Sequence, residues 1–416
     1  MSRTRLFLAV TSVIAALAFP LTTGRTLIAK PVNEADQVVV QVTDFVADAP
    51  ILVDRFGIVH HPFVLDPNLV NPWGTAESSG SPIWVADNNR GVSTLYNIGG
   101  GAPVSAVPLV VSVPAPGDPL NPTGAPTGAV FNTAVATQQF KVSGVDRNGV
   151  AATAPAFFMF ATEDGTIVGW NPGVNPPGFD MNRAGSYGIV AVNNSANPTV
   201  ADGAVYKGLA IATDATGSAF LYATNFRAGT VEVYDGSFHR VTLPAGAFTD
   251  PRLPHGYAPF NIVLSAGRLF VTYARQDKAK HDDEAGHGRG VVNTFDSRGR
   301  MLARFAEHGS LNSPWGVVQT PASFGRFAGA VLIGNFGDGR IHAYDSGTGR
   351  FLGPVVNSVG QEILIDGLWS LSVGNGKAGG DGDTIYFTAG PNGEKDGLLG
   401  SLRPVALGTP CGIPCR

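Results

Sequence analysis

Cysteine is nearly missing from this chain of 416 residues: there are two, Cys411 and Cys415, both in the closing stretch CGIPC. A structural zinc site wants four ligands, so a lone Cys-x-x-x-Cys pair is a poor zinc signal. In an oxidising compartment the pair would close a small local loop, and a tail with two free thiols is the alternative. Charge is also scarce, at 14% of residues with a net of -4, and Lys and Arg form no run. That excludes the basic patch or stripe by which nucleic-acid binders are known. No long 3.6-residue apolar period appears, so helix is expected to be rare. Past the N-terminus no apolar run is long enough to span a bilayer. A G-x-S-x-G elbow is absent, and GHGRG at 286–290 lacks the strand-turn-helix setting of a nucleotide loop.

Glycine and proline are plentiful instead, at 54 and 30 residues. They fall between short apolar runs, the pattern of many tight connections rather than of disorder. At the N-terminus Arg3 and Arg5 precede an apolar run through Leu21, with Ala16-Leu17-Ala18 as an A-x-A signal. This is the layout of a secretory signal peptide, expected over residues 1–24. A membrane anchor needs about 18 uncharged apolar residues, and Pro20 ends the run first. The expectation is therefore a secreted, periplasmic or extracellular protein with no membrane span after cleavage.

A phrase then recurs. A Pro-aromatic-Gly triplet or its like opens an apolar segment, which is followed by an apolar strand ending in Asp or Asn, a Gly-rich turn and another strand. Asn71-Pro72-Trp73-Gly74 leads into IWVADNNRGVSTLYN, and Ser313-Pro314-Trp315-Gly316 into VLIGNFGDGRIHAYD. Equivalent positions are Gly74, Gly128, Gly208, Asn261, Gly316 and Ser370, spaced by 54, 80, 53, 55 and 54 residues. Six copies of a three- to four-stranded unit specify an all-β, six-bladed β-propeller over residues 66–405. Residues 25–65 form an N-terminal segment whose VVVQV (38–42) reads as a strand, a candidate to close the last blade. Residues 406–416 are a tail. The 80-residue spacing places one long insertion in the Asn-, Gly- and Pro-rich stretch 171–204, and a second, acidic one lies at 276–288.

The phrases LVNPWGTA, WVADNNRGVSTLYN, FATEDGTIVGWNP, VYKGLAIA, YARQDKAKHDDEAG, LNSPWGV and NFGDGRIHAYD occur in this order. They resemble an uncharacterised family of predicted secreted bacterial six-bladed propeller proteins, across almost the whole chain beyond the N-terminal segment. The resemblance implies the fold and export, and no activity. A more distant likeness to NHL-type and gluconolactonase propellers rests on the blade rhythm and on Asp366-Gly367-Leu368.

Blade geometry places residues without coordinates. First-strand starts and second-strand ends share one face, the mouth of the axis. Asn71, Asn312 and Asp366 fall there as candidate calcium ligands, because calcium takes six to eight oxygens in irregular geometry. Glu163, a further possible ligand, and Asp164 are candidate bases for catalysis. Asp87, Asn88, Asn225, Asp277 and Asn335 are candidate ligand-binding groups. The acidic loop adds His281, Asp282, Asp283 and Glu284. The competing reading is that these Asx residues cap turns and that the loop is solvated charge. Trp73, Trp315 and Trp369 are expected to pack between blades. Two functions stay open: a binding or scaffold module that presents this face to a protein, glycan or small molecule, or a calcium-assisted hydrolase of lactone or ester type.

Overall fold

A computed structural model describes residues 39–179 and 185–405. The expected signal peptide, the rest of the stretch before Val39 and the cysteine tail lie outside the described residues.

Six antiparallel blades follow one another along the chain. Their innermost strands are Pro72–Ala76, Pro126–Phe131, Tyr206–Thr213, Tyr257–Ser265, Pro314–Gln319 and Leu368–Val373. The second strands, such as Ile83–Asp87 and Phe158–Thr162, are buried along their whole length. A short, continuous apolar run fits such a position, packed on both faces. Blades bury their faces against one another. Val130, Leu209 and Ile211 share one such core with Phe140 and Leu221, where blade two meets blade three. Among the described residues no helix is long and apolar enough to cross a membrane.

Blade six has three strands from the end of the chain, and Val39–Ala47 supplies its fourth. That strand pairs antiparallel with Leu398–Val405, Val39 opposite Val405 and Ala47 opposite Leu398. Chain start and chain end are thus tied into one sheet. The segment continues as a small hairpin, Leu52–Val53 with Val59–His60, which docks on the mouth: Arg55 Nε lies 2.7 Å from Asp366 Oδ1.

The recurring triplet has a structural cause. In each of the six blades the pairing of first and second strands slips at the triplet, between Pro72 and Thr75 in blade one and between Tyr206 and Gly208 in blade three. Such bulges bend a strand and re-aim a side chain. The glycine is needed because the neighbouring blade passes so close: a β-carbon on Gly74 would fall 2.5 Å from the Thr127 carbonyl oxygen, and one on Gly128 would fall 2.3 Å from Leu209 N.

The long insertion is not where the spacing suggested. Ile189–Asn193, inside the 171–204 stretch, is the fourth strand of blade two. Much of the excess is instead a hairpin, Lys141–Val145 with Ala151–Pro155, between the first and second strands of that blade. First strands end on the face opposite the mouth, so the hairpin projects there. The acidic excursion follows Arg275, the end of a second strand, and does rise at the mouth.

Candidate functional site at the mouth of the axis

The residue before each of the six equivalent positions is Trp73, Thr127, Lys207, Phe260, Trp315 or Trp369. Trp73 and Trp369 stack with ring centroids 3.5 Å apart, and Trp315 meets both edge-on. Phe336 stacks on Trp369 at 3.9 Å, and Phe260 leans on it at 6.0 Å. All five rings belong to a single apolar cluster with Phe226. The tryptophans are therefore more than blade-to-blade packing: they form a plug contributed by several blades.

In blade three the slot holds a lysine. Lys207 is 2% exposed, and its ammonium sits 5.1 Å from the Trp73 ring centroid. Glu163 Oε1 pairs with the ammonium directly, and Asp282 Oδ1 lies 3.1 Å away. Burial would pull this amine down. The charges and hydrogen bonds of Glu163 and Asp282 outweigh it and hold its pKa above the ordinary lysine value. Glu163 Oε2 accepts from Asn88 Nδ2 at 2.9 Å, and His281 Nδ1 lies 2.9 Å from Asp282. The His281 bond holds the Asp282 carboxyl well below the usual range, and the same bond raises His281.

The ring closes through Glu394, which the sequence reading missed along with Lys207. Asn71 Nδ2 donates to Glu394 Oε2 at 2.8 Å, and the Glu394 carbonyl accepts from Asn89 Nδ2 at 2.6 Å. Burial, with the nearby charge of Glu163, pushes the Glu394 carboxyl up to about 7. Beside this ring lies an open cavity of about 560 Å³, walled by Asn88, Asn89, Arg90, Glu163, Asp164 and His281 among others. Asp164 faces it with Oδ2 accepting from Ala125 N at 2.7 Å, and burial raises its pKa.

The expected calcium ligands each bond within the protein. Asn71 Oδ1 accepts from Trp369 Nε1 at 2.9 Å, and Asn312 Oδ1 from Gly286 N at 2.6 Å. Asp366 is held by the Arg55 guanidinium and by the backbone N–H groups of Arg55 and Asn392. The named Asn71 and Asn312 oxygens each hold a protein donor, and the two Asp366 oxygens lie against Arg55 and the Asn392 N–H. Glu163, His281 and Asp282 do bring ligand atoms within 4.8 Å of one another. Two carboxylates and one imidazole fall short of the oxygen shell calcium requires, and Lys207 already places a cation against both carboxylates.

Other candidates bond within the fold, and Asp87 Oδ1 is buried without a hydrogen-bond partner. Asp87 is fully buried and accepts from Thr94 N and Oγ1 at 3.0 and 2.8 Å, with burial pushing its pKa up. Asn225 donates to Glu232 Oε1 at 3.0 Å, inside a buried network with Tyr206 and Tyr234. Asn335 Oδ1 accepts from Asn312 N at 3.1 Å, and Asp277 Oδ1 from His281 N at 2.8 Å. Asp277 caps a turn, the competing reading at that position, whereas the Asn335 bond ties its strand end to Asn312, 23 residues earlier. Glu284 pairs with Arg275 at 3.1 Å on the surface, and Asp283 is largely buried and raised by that burial. The structure brings Asn71, Asn88, Glu163, Asp164, His281 and Asp282 together and leaves the others apart.

No family model matches the chain. An uncharacterised protein of Acanthamoeba polyphaga mimivirus is 31% identical over 81% of this chain and 76% of its own length. A second uncharacterised protein of that virus is 30% identical over 81% of each. This chain belongs to their family. Family membership brings the fold and no assigned activity, and these two relatives are viral rather than bacterial. Among solved structures, a PQQ-bound aldose sugar dehydrogenase from Streptomyces coelicolor is similar with a TM-score of 0.44, 14% identical, over 89% of this chain and 99% of that one. A streptogramin B lyase gives 0.41 at 10% identity, over 90% and 100%. Both are too distant to speak to activity.

Proposed function

We propose that this protein is a binding propeller whose mouth takes a small, neutral, hydroxyl-rich ligand such as the end of a glycan. The observation that carries this is the chemistry of the 560 Å³ cavity: its side chains are amides, carboxylates, an imidazole and a guanidinium, both donors and acceptors. A polyhydroxylated molecule pairs with such a mixture without leaving buried polar atoms unmatched. The ammonium of Lys207 neutralises the centre in the place where a metal was expected. The hydrolase reading loses support, because its ion would have to displace hydrogen bonds already made by Asn71, Asn312 and Asp366.

The test is a thermal-shift screen of neutral mono- and oligosaccharides, with hits measured by isothermal titration. Asn89→Ala and His281→Ala should each weaken a hit at least about tenfold, which is about 1.4 kcal/mol. If no saccharide shifts the melt, or both variants bind as the parent does, the reading is wrong.

A further inference from the structure

Below the aromatic plug the axis opens again. A cavity of about 500 Å³ begins at Trp315 and runs between the innermost strands to their far ends, at Glu77, Gln319 and Val373. Most of its wall is apolar, with residues such as Ala129, Ile211, Val263 and Leu371. Thr75, Gln319 and Ser372 add isolated polar groups, and Glu77 stands near the outlet. The Glu77 Oε2 atom is buried and has no hydrogen-bond partner.

We propose that this channel is a second binding site, separate from the mouth, for a small and largely apolar molecule bearing one hydrogen-bonding group that Glu77 receives. Three observations converge. The volume lies within the range of ligand pockets, about 300–1,000 Å³. Trp315, held against Trp73 and Trp369, walls the inner end. The unpartnered carboxyl oxygen at the outer end is a polar atom that folding leaves unsatisfied, an arrangement that calls for a partner.

Burial pushes the Glu77 carboxyl up to about 8, the nearby Asn375 backbone N–H opposing it without completing a hydrogen bond to Oε2. At neutral pH the group is thus chiefly an uncharged acid, able to donate a proton to a hydrogen bond and cheap to bury beside an apolar ligand. The turn at 375–380 packs against it so tightly that a β-carbon on Gly379 would fall 2.2 Å from Oε2. The charged residue on that turn, Lys377, is exposed and lies along Gly80. The site does not depend on the saccharide reading of the mouth.

The probe is N-phenyl-1-naphthylamine, a neutral aromatic amine that fluoresces in apolar surroundings. The full chain should bind about one equivalent, as expected for a single pocket. Thr75→Trp and Ser372→Trp, which fill the tube from half-exposed positions, should each weaken binding at least about tenfold while the melting temperature holds. If one of them melts early, the other decides. The wild-type affinity should fall as pH rises through about 8, and Glu77→Gln should make it flat. A competing place for the dye is the exposed apolar hairpin at the N-terminal segment, where Phe56 and Val59 are 40% and 45% exposed. Loss of binding in Phe56→Ser with none in Thr75→Trp or Ser372→Trp would overturn the proposal, as would absence of binding to the wild type.

Discussion

The two ends of the axis are built from the same six strands and turn out opposite in chemistry. Where those strands begin, loops from every side bring carboxylates, amides and one buried ammonium into contact, and Lys207, Glu163, Asn88, Asn71 and Glu394 form a linked chain of polar bonds. Where the strands end, they surround an apolar space with few polar groups. The difference lies in what the loops supply. At the mouth, the turns after the second strands of blades one and two bring Asn88, Glu163 and Asp164 toward the cavity, and the acidic excursion of blade four adds Asp282 and His281. At the far end the extra chain of blade two folds away as a hairpin of its own. The plug between them lets one barrel of strands carry a wet end and a dry end.

The largest expected effect tests the plug. Trp369 touches Trp73, Trp315, Phe260 and Phe336, so Trp369→Ala should leave a cavity and cost about 4 kcal/mol in denaturant unfolding. A loss below about 1 kcal/mol would mean that the rings are not a packed barrier. Next comes the buried ammonium. Lys207→Met strands Glu163 beside Asp282 and should cost about 3 kcal/mol, because removing one partner of a buried pair leaves a charge uncompensated. Adding Glu163→Gln should recover more than half of that loss. Equal losses in single and double variants would show that Lys207 acts by packing alone.

A smaller effect is a matter of pH. Burial raises Glu394 from 4.5 to about 7 in the folded protein, so between those values the folded state holds a proton that the unfolded state has released. Its contribution is complete below pH 4.5 and is lost as pH rises to about 7, on the order of 2 kcal/mol. Glu394→Gln should flatten stability over that window, as read from urea melts at a series of pH values. No comparable slope in the wild type would place Glu394 in water rather than in the mouth.

The ring of blades was legible because its cause is local: a bulge recurs wherever an innermost strand starts, and four of the six times it carries a glycine. The mouth was legible in part. Glu163, Asn88 and Asp282 follow from strand ends, which blade geometry orders on one face. Lys207 stood in plain view, a charged residue in a slot that other blades fill with tryptophan, phenylalanine or threonine, and that misfit was the available signal. Glu394 left no such signal. It reaches Asn71 across 323 residues of sequence, brought there by closure of the ring and by a backbone with positive φ. The surroundings of the calcium candidates were hidden for a related reason: strand position tells which face a carboxylate occupies but not which donor lies against it, and Arg55, which pairs with Asp366, comes from the N-terminal hairpin. The 80-residue spacing likewise counts extra chain without saying between which strands it falls.

The central claim is that the cation at the mouth is the ammonium of Lys207. The most direct measurement is the melt of the purified protein in excess calcium and in chelator, alongside its metal content by mass spectrometry. The account predicts no stoichiometric calcium, the same melting temperature in both buffers, and a lowered melt only in Lys207→Met. A chelator-sensitive melt with about one calcium per chain, lost in Asp366→Ala, would contradict it.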